Sequence, residues 1–555
     1  MKKLASIVIV IILNHINAIG QIKDLVKCDS ISYSVHKANI GTIAFMGPIV
    51  PIESFKETDF LTTFIIKENA DLNIRVFLGN SLTNYLHQLS PQSTIEELTK
   101  NGNFQFTFIV DDKIIYTENL NVGAGSTDSK NQRTVFRIPL ISTTKEDSWG
   151  RFLWNRFLMN GGEDAFTIGE HTLKIEIRPY LKITELKTGS LLAQGQIKII
   201  IPEINIDEKL VQLQTIDPLS DWKISTDSFD KSLIEELNRK IESKTFKDIT
   251  SIVLIKDGKL LIEEYFNGAK RDSIHDTRSV GKSFTSTIIG IAISDGFIKN
   301  ETQTLNEFYD LSKSRNFSPA KGNITLKSLL TMSSSFDGSD MNQESPGNEE
   351  YMYPTDNWVN FTLDLPIDTT KVETPRWDYF TAGVVVLGDI IQKSVPEGLE
   401  MYADKYLFQP LGISNYKWQY TPQNVANTAG SLQLRSIDYA KYGQLYKNNG
   451  VWNGKQIISP DWVSKSLSKQ MAISDNEFYG NLFWNKTYKV GSDAYEVYYS
   501  SGNGGNRIYI FKDQPCIIVI TSTAYNTLSG DKQVDKIMQN HLIPSIFKLQ
   551  KYNLK

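Results

Sequence analysis

The sequence predicts two domains of different class. An N-terminal β-sandwich of immunoglobulin-like type precedes an α/β domain with a central antiparallel sheet, flanking helices and a helical insertion. Three observations carry this. Short β-branched or alternating runs separated by turn residues fill residues 21–202. After them, a helix period and a hairpin signal follow one another between 228 and 265. Finally, DTRSVGKSFTSTIIGIAISDG at 276–296 opens an apolar helix with Ser279 and Lys282 three residues apart.

A chain of 555 residues, 40% hydrophobic and 22% charged, is globular and long enough for two or more domains. The first twenty residues carry Lys2-Lys3, a mostly apolar run from Leu4 to Leu13 and Ala18-Ile19-Gly20, the pattern of a secretory leader cut before Gln21. That run is too short to span a bilayer, which takes about 20 apolar residues. The expected location is therefore outside the cell or in a periplasm, with no membrane anchor after cleavage. Net charge is −4 and falls to −6 without Lys2 and Lys3, and no long basic run remains, which argues against nucleic acid as a partner. Cys28 and Cys516 lie at opposite ends of the chain, leaving both a single disulfide and two unpaired thiols open. The six histidines show no ligand-like spacing, so no metal or other cofactor is expected.

Taken in order, the expected strands of the first domain are Gly41–Phe45, Asp71–Leu78, Phe104–Val110, Thr134–Pro139, His171–Pro179 and Gln196–Ile201. HTLKIEIRPY and AQGQIKIIIPE read as the two closing strands. No nucleophile, base and oxyanion donors gather there, so this half reads as a structural or carbohydrate- or wall-contacting accessory domain. Residues 203–224, with Asp217-Pro218 and little periodicity, are the expected linker to a second domain at 225–555. There, Phe229, Leu233, Ile234, Leu237 and Ile241 give a helix period. Ile249–Ile255 and Leu260–Tyr265 are strands joined at Asp257-Gly258. The late strands Glu496–Tyr499, Arg507–Phe511 and Cys516–Thr521 should join that hairpin, and a last helix from Lys532 should stop before Pro544.

Spacing alone does not single out Ser279 and Lys282, because nine other Ser/Lys pairs in the chain share it. Context does. Val280, Phe284, Ile288, Ile291 and Ala292 bury one helix face, Thr277 or Asp276 can cap its start, and Asp295-Gly296 ends it. Ser279 thus sits where free backbone N–H groups favour negative charge. A serine hydroxyl needs a neighbouring base to become a nucleophile, and a lysine held neutral by burial can be that base.

YFNGAKRDSIHDTRSVGKSFTSTIIGIAISDG resembles the serine hydrolases related to class C β-lactamases and penicillin-binding proteins, nearest the branch of 6-aminohexanoate-dimer hydrolase and β-lactamase-like esterases. Further segments fall in the order that family requires: ITLKSLLTMSSSFDG, TPRWDYFTAGVVVLGDII, NTAGSLQLRSIDYAKYGQLYKNNGVWNGKQIISPDWV and YYSSGNGGNRIYIF. The resemblance runs from about Asp227 to Ile543. It implies Ser279 as nucleophile, Lys282 as its activating lysine and Tyr379 as the proton relay to the leaving group. Thr381 stands where the family often has Asn. Gly502-Asn503-Gly504-Gly505-Asn506 replaces the Lys-Thr-Gly or His-Thr-Gly strand of penicillin-recognising members, with Arg507 the nearest cation. That change argues against β-lactam turnover and for an ester or linear-amide substrate, small or peptide-like.

Independently of family, glycines let a strand approach a tetrahedral intermediate closely. Gly504, Gly505 and Asn506 are therefore the expected oxyanion and substrate-binding segment, the N–H of Gly505 or a neighbour acting with that of Ser279. Either Lys282 or Tyr379 can take the serine proton, and the proton belongs to the pair. Two rivals remain. One is a Ser-His-Asp triad through His275, although Ser279 has no G-x-S-x-G surroundings. The other is an inactive binding module holding a cell-wall peptide or peptide-like ligand.

Overall fold

The computed structural model describes residues 23–66, 70–142, 148–218, 220–430 and 432–547. The leader at 1–20 lies outside them. The first domain has a three-stranded antiparallel sheet with Leu72–Phe77 between Ile43–Met46 and Val135–Ile141. A larger sheet runs Thr63–Ile65, Ala193–Ile201, Gly169–Lys182, Gly102–Val110, Lys113–Asn119, with Leu186–Thr188 on the strand Gly169–Lys182. One core joins them: Ile43, Phe45, Ile74, Val76 and Ile138 meet Phe106, Phe108, Ile175, Ile177 and Ile199. Each of the six expected strands overlaps one of these.

The immunoglobulin-like arrangement is not confirmed, because helices share that core. Leu82–Leu89, Ile95–Asn101, Thr127–Gln132 and Trp149–Phe157 interrupt the strands, and Leu86, Leu98, Leu153, Trp154 and Phe157 pack inward from them. These helices span two or three turns at most, too short for a clear period. Their start signals are local: the Ser81 hydroxyl accepts from Asn84 N–H, and Thr94 and Glu97 form a reciprocal capping box. The strand Lys113–Asn119 follows a turn at Asp111-Asp112, both with positive φ, a hairpin without the glycine that would announce it.

In the second domain, helix α1 (Lys231–Glu242) is capped by Asp230, whose carboxylate accepts from Ser232 and Leu233 N–H. Strands β1 (Ile249–Lys256) and β2 (Lys259–Tyr265) form the hairpin over Asp257 and Gly258, both at positive φ. Helices α2 (Gly281–Ser294), α3 (Thr381–Ser394) and α4 (Ser436–Lys447) follow. Then come β3 (Trp484–Val490), β4 (Asp493–Gly502), β5 (Asn506–Phe511), β6 (Cys516–Ser522) and α5 (Leu528–Ile537). The sheet order is β2-β1-β6-β5-β4-β3, extended by Glu477–Tyr479 and Met471–Ala472 to eight antiparallel strands. Side chains of α2, α3 and α4 share a core with one sheet face through Val253, Ile255, Ile508, Ile517 and Val519. On the other face α1 and α5 bury Ile234, Leu237, Ile241, Val534 and Ile537 with Ile252, Leu254, Ile518 and Ile520. Covered on both faces, β1 and β6 read as continuous apolar runs.

One expectation is corrected. The last helix does not stop before Pro544. The helix continues through a π-helical turn at Met538–Leu542, where Ile543 N–H reaches Met538 O, into Ile543–Phe547, and this wider turn opens the ladder where Pro544 has no N–H to donate. Within the expected linker 203–224, described residues from Gln214 on lie against the hydrolase domain. Gln214 exchanges hydrogen bonds with the Tyr265 backbone, Ile224 bridges Leu260, and Trp222 is buried in the core. This covers the edge of β2. Both cysteines are free, Cys516 deep in the sheet, where burial pushes its thiol far up. No described helix is long and apolar enough to cross a membrane.

Gly290 sits where α2 meets the Trp462 indole, whose N–H donates to Ser286 O at 2.9 Å, and an added Cβ would overlap that ring. Gly290→Ala should destabilise the hydrolase domain by about 1–3 kcal/mol, read as a lowered urea midpoint.

Candidate active site

Ser279 lies in a single 3₁₀ turn, Arg278–Val280, immediately before α2, and Lys282 lies in the helix's first turn. Lys282 Nζ is 2.9 Å from Ser279 Oγ and also reaches the Ala429 carbonyl. The lysine is 2% exposed, so these acceptors replace water around a buried donor. Ser279 keeps partial exposure. Nucleophile and buried amine are thus in contact, with the hydroxyl still open to a ligand.

The turn itself is strained and clamped. Arg278 has φ +54°, a left-handed conformation that costs a non-glycine residue of order 1–3 kcal/mol when imposed at a functional site. Its N–H donates to Asp276 Oδ1 at 3.0 Å, and its guanidinium lies 4.4 Å above the Tyr525 ring. The Tyr525 hydroxyl in turn donates to Asp276 O at 2.5 Å. Gly430 packs against the Arg278 carbonyl from the loop that carries Ala429. Gly502, ending β4, lies so close that an added Cβ would collide with Thr277 O.

Tyr379 arrives on the segment before α3, partly buried, with the Lys282 nitrogen 5.2 Å from its ring centroid. Trp377 and Trp484 flank it, with ring centroids 6.2 and 5.8 Å away. Asp340 secures this segment from both sides. Its N–H donates to Tyr379 O at 2.8 Å, and its Oδ2 accepts from Thr381 N–H at 2.7 Å. Burial pushes the Asp340 carboxyl up to about 7, and the Glu349 charge adds to this against the pull of Thr381 and Lys282. Thr381 opens α3 at 2% exposure, tied to Asp340. Lys371 supports the segment from beneath, with Asp378 Oδ2 and Gly338 O both at 3.0 Å.

Of the glycine segment, Gly502 borders the nucleophile turn. Gly504 and Gly505, at φ +87° and +90°, face Tyr525 and Gly530 instead, one layer behind it. Asn506 is fully buried, donating to Asn503 O and Ser522 O and accepting from Ser522 N–H, so its side chain ties the turn to β6. Arg507 is likewise engaged, with Gly502 O at 2.9 Å, Asn506 O at 2.8 Å and Asp531 at 2.6 Å.

The beta-lactamase family model matches residues 248–540, more than half of the chain and all of the sheet. The chain belongs to the beta-lactamase family. That family comprises serine hydrolases related to penicillin-binding proteins. Among solved structures, the chain is similar to a Bacillus anthracis protein described as a candidate 6-aminohexanoate-dimer hydrolase: 20% identity, 63% of this chain and 90% of that one, TM-score 0.45. It is also similar to an octameric penicillin-binding protein homologue from Pyrococcus abyssi (20%, 58% and 77%, TM-score 0.43). A third is a D-stereospecific amidohydrolase from Streptomyces (15%, 52% and 92%, TM-score 0.40). No curated protein matches the sequence.

His275 has another place in this beta-lactamase domain. It lies in the short strand Ile274–Asp276, paired with Leu434, its Nδ1 3.3 Å from Thr250 Oγ1 and burial pushing its pKa down to about 4. Sequence reasoning gave no role to Asp340 or the Ala429 carbonyl, and Gly502 entered it only as the start of the glycine segment. Asp340 stood in the polar stretch 340–358 without a distinguishing spacing, and a carbonyl has no side-chain signature.

Two outcomes follow. His275→Ala should keep turnover within a few-fold of wild type in a folded protein, since the ring reaches Thr250; near-complete loss would restore the triad. For Asp340, the folded value near 7 lies above the ordinary 3.8. Its stabilising contribution is full at pH below about 4 and is lost as pH rises through about 7. The thermal midpoint of wild type relative to Asp340→Asn should therefore fall between pH 4 and pH 8; a constant difference would show an ordinary carboxyl.

Proposed function

We propose that this protein is a secreted or periplasmic serine hydrolase that cleaves an ester or a linear amide through an acyl-enzyme on Ser279. The observation that carries the reading is the 2.9 Å contact between Ser279 Oγ and the buried Lys282 nitrogen. An unactivated serine has no need of a buried amine beside it.

In acylation, Ser279 Oγ attacks the substrate carbonyl carbon while its proton passes to the Lys282–Tyr379 pair. The carbonyl oxygen becomes an oxyanion. The backbone N–H of Ser279, with one from the end of β4 at Gly502 that borders the nucleophile turn, would receive it, and losing such a donor costs roughly 3–4 kcal/mol of barrier. When the tetrahedral adduct collapses, the C–O or C–N bond breaks and the pair's proton goes to the departing alcohol or amine. In deacylation, water attacks the acyl carbon, its proton leaves through the same pair, and Ser279 Oγ regains a proton as the acid departs.

Linear substrates are favoured because the residues after β4 offer no free cation for a β-lactam carboxylate. Arg507, the nearest in sequence, is occupied by two carbonyls and Asp531. Trp377, Trp484 and Tyr379 instead present an aromatic wall suited to an apolar acyl or leaving group.

A fluorophosphonate probe should label the wild type and leave Ser279→Ala unlabelled. Lys282→Ala should slow turnover of a short p-nitrophenyl ester by about 10²–10⁴-fold. Compared side by side with aminohexanoate oligomers, a chromogenic cephalosporin should be the poorest substrate. A folded wild type that never labels would instead support the inactive binding module.

A further inference from the structure

The N-terminal domain touches the hydrolase domain at the segment that supports Tyr379. Arg156, on the helix Trp149–Phe157, binds Glu118 of its own domain through Nε at 2.9 Å and Nη2 at 2.6 Å. Its Nη1 reaches across to Glu350 at 2.5 Å. The three side chains are 12%, 9% and 18% exposed, so one guanidinium compensates two largely buried carboxylates. One turn earlier on the same helix, Phe152 stacks on Tyr353 with ring centroids 6.3 Å apart and planes 16° apart. The Tyr353 hydroxyl donates to Glu349 Oε2 at 2.8 Å. Gly123 of the N-terminal domain packs against the Tyr351 ring.

From this contact a path through the backbone of Glu349 and Glu350 and three hydrogen bonds leads to the site. Glu349 N–H donates to Asp340 Oδ1 at 2.9 Å, while the other oxygen of that carboxylate takes Thr381 N–H. Asp340 N–H holds the Tyr379 carbonyl. The Asp340 carboxylate thus joins the Glu349 backbone to that of Thr381, and its own backbone holds Tyr379, so moving residues 349–350 moves Asp340, and with it the backbone carrying Tyr379.

We propose that Arg156 is a positioning residue for the hydrolase site: through Glu350 and the segment 340–353 it holds Asp340, and thereby Tyr379, in place. The N-terminal domain is on this account part of the active-site scaffold, an inference whose catalytic half rests on the serine hydrolase reading. Without the guanidinium, Glu118 and Glu350 face each other uncompensated, and repulsion drives Glu350 and its segment away from the N-terminal domain.

The test compares full-length wild type, Arg156→Gln and Arg156→Lys by amide hydrogen exchange and by fluorophosphonate labelling rate. In Arg156→Gln, exchange should rise in 340–353 and 378–381 while the sheet strands β1 and β6 stay protected. The labelling rate and kcat on a p-nitrophenyl ester should fall about tenfold or more, with a smaller change in KM, since misplacing a reacting group by ångströms costs up to about 10²-fold. Arg156→Lys, which keeps the charge, should recover part of both. Unchanged exchange in 340–353 overturns the proposal, as does a wild-type labelling rate in Arg156→Gln. If wild type does not label, the hydrolase reading fails and exchange alone decides whether Arg156 holds the segment. Should Arg156→Gln not fold, Phe152→Leu, which removes the stack and keeps every charge, is read in the same way with the same two outcomes.

Discussion

A buried amine must be surrounded by acceptors, and the site is arranged to supply them to Lys282. At 2% exposure its nitrogen has given up water, leaving Ser279 Oγ, the Ala429 carbonyl and the nearby Tyr379 ring as its surroundings. Each comes from a different part of the chain: the turn before α2, the loop before α4 and the segment before α3. Only the packed domain brings them to one point. The cost of burying the donor thus makes the position of the nucleophile a property of the whole core rather than of its own helix.

The strained turn at Arg278 shows the same dependence locally. A left-handed arginine next to the nucleophile persists because its surroundings over-determine it. Asp276 holds its N–H, Tyr525 lies under its guanidinium, Gly430 admits its carbonyl, and Gly502 lets β4 pass against the preceding residue. In exchange Ser279 stays partly open while the lysine three residues on is sealed. Glycine serves here through the absence of a side chain, at the two positions where main chain meets main chain.

Asp340 links this centre to the rest of the molecule. One carboxylate and its own N–H fix both Thr381 and Tyr379, and the same carboxylate accepts from Glu349. Beyond Glu349 and Glu350 the contacts belong to the N-terminal domain, through Arg156 and Phe152. The N-terminal domain therefore meets the hydrolase domain where support of the tyrosine segment is decided.

Five strands of the hydrolase sheet were legible in the sequence because their signals are local, whereas β3 and the two short strands beyond it carried no such signal. The Asp-Gly turn, the apolar runs of β1, β5 and β6 and the period of α1 each lie within a dozen residues. Ser279, Lys282 and Tyr379 could be singled out by segment order, and the structure brings them together. The N-terminal strands were legible for the same reason, whereas the helices between them are too short to declare a period and form because the shared core accepts Leu86, Leu98 and Trp154. What the sequence by itself determined is the strongly patterned elements and the residue types in their local frames. Which glycine meets the nucleophile turn, which carbonyl receives Lys282, and that Arg156 reaches Glu350 across 194 positions, only the tertiary structure decided. Those contacts depend on distances between elements far apart in the chain, and no periodicity or spacing encodes them.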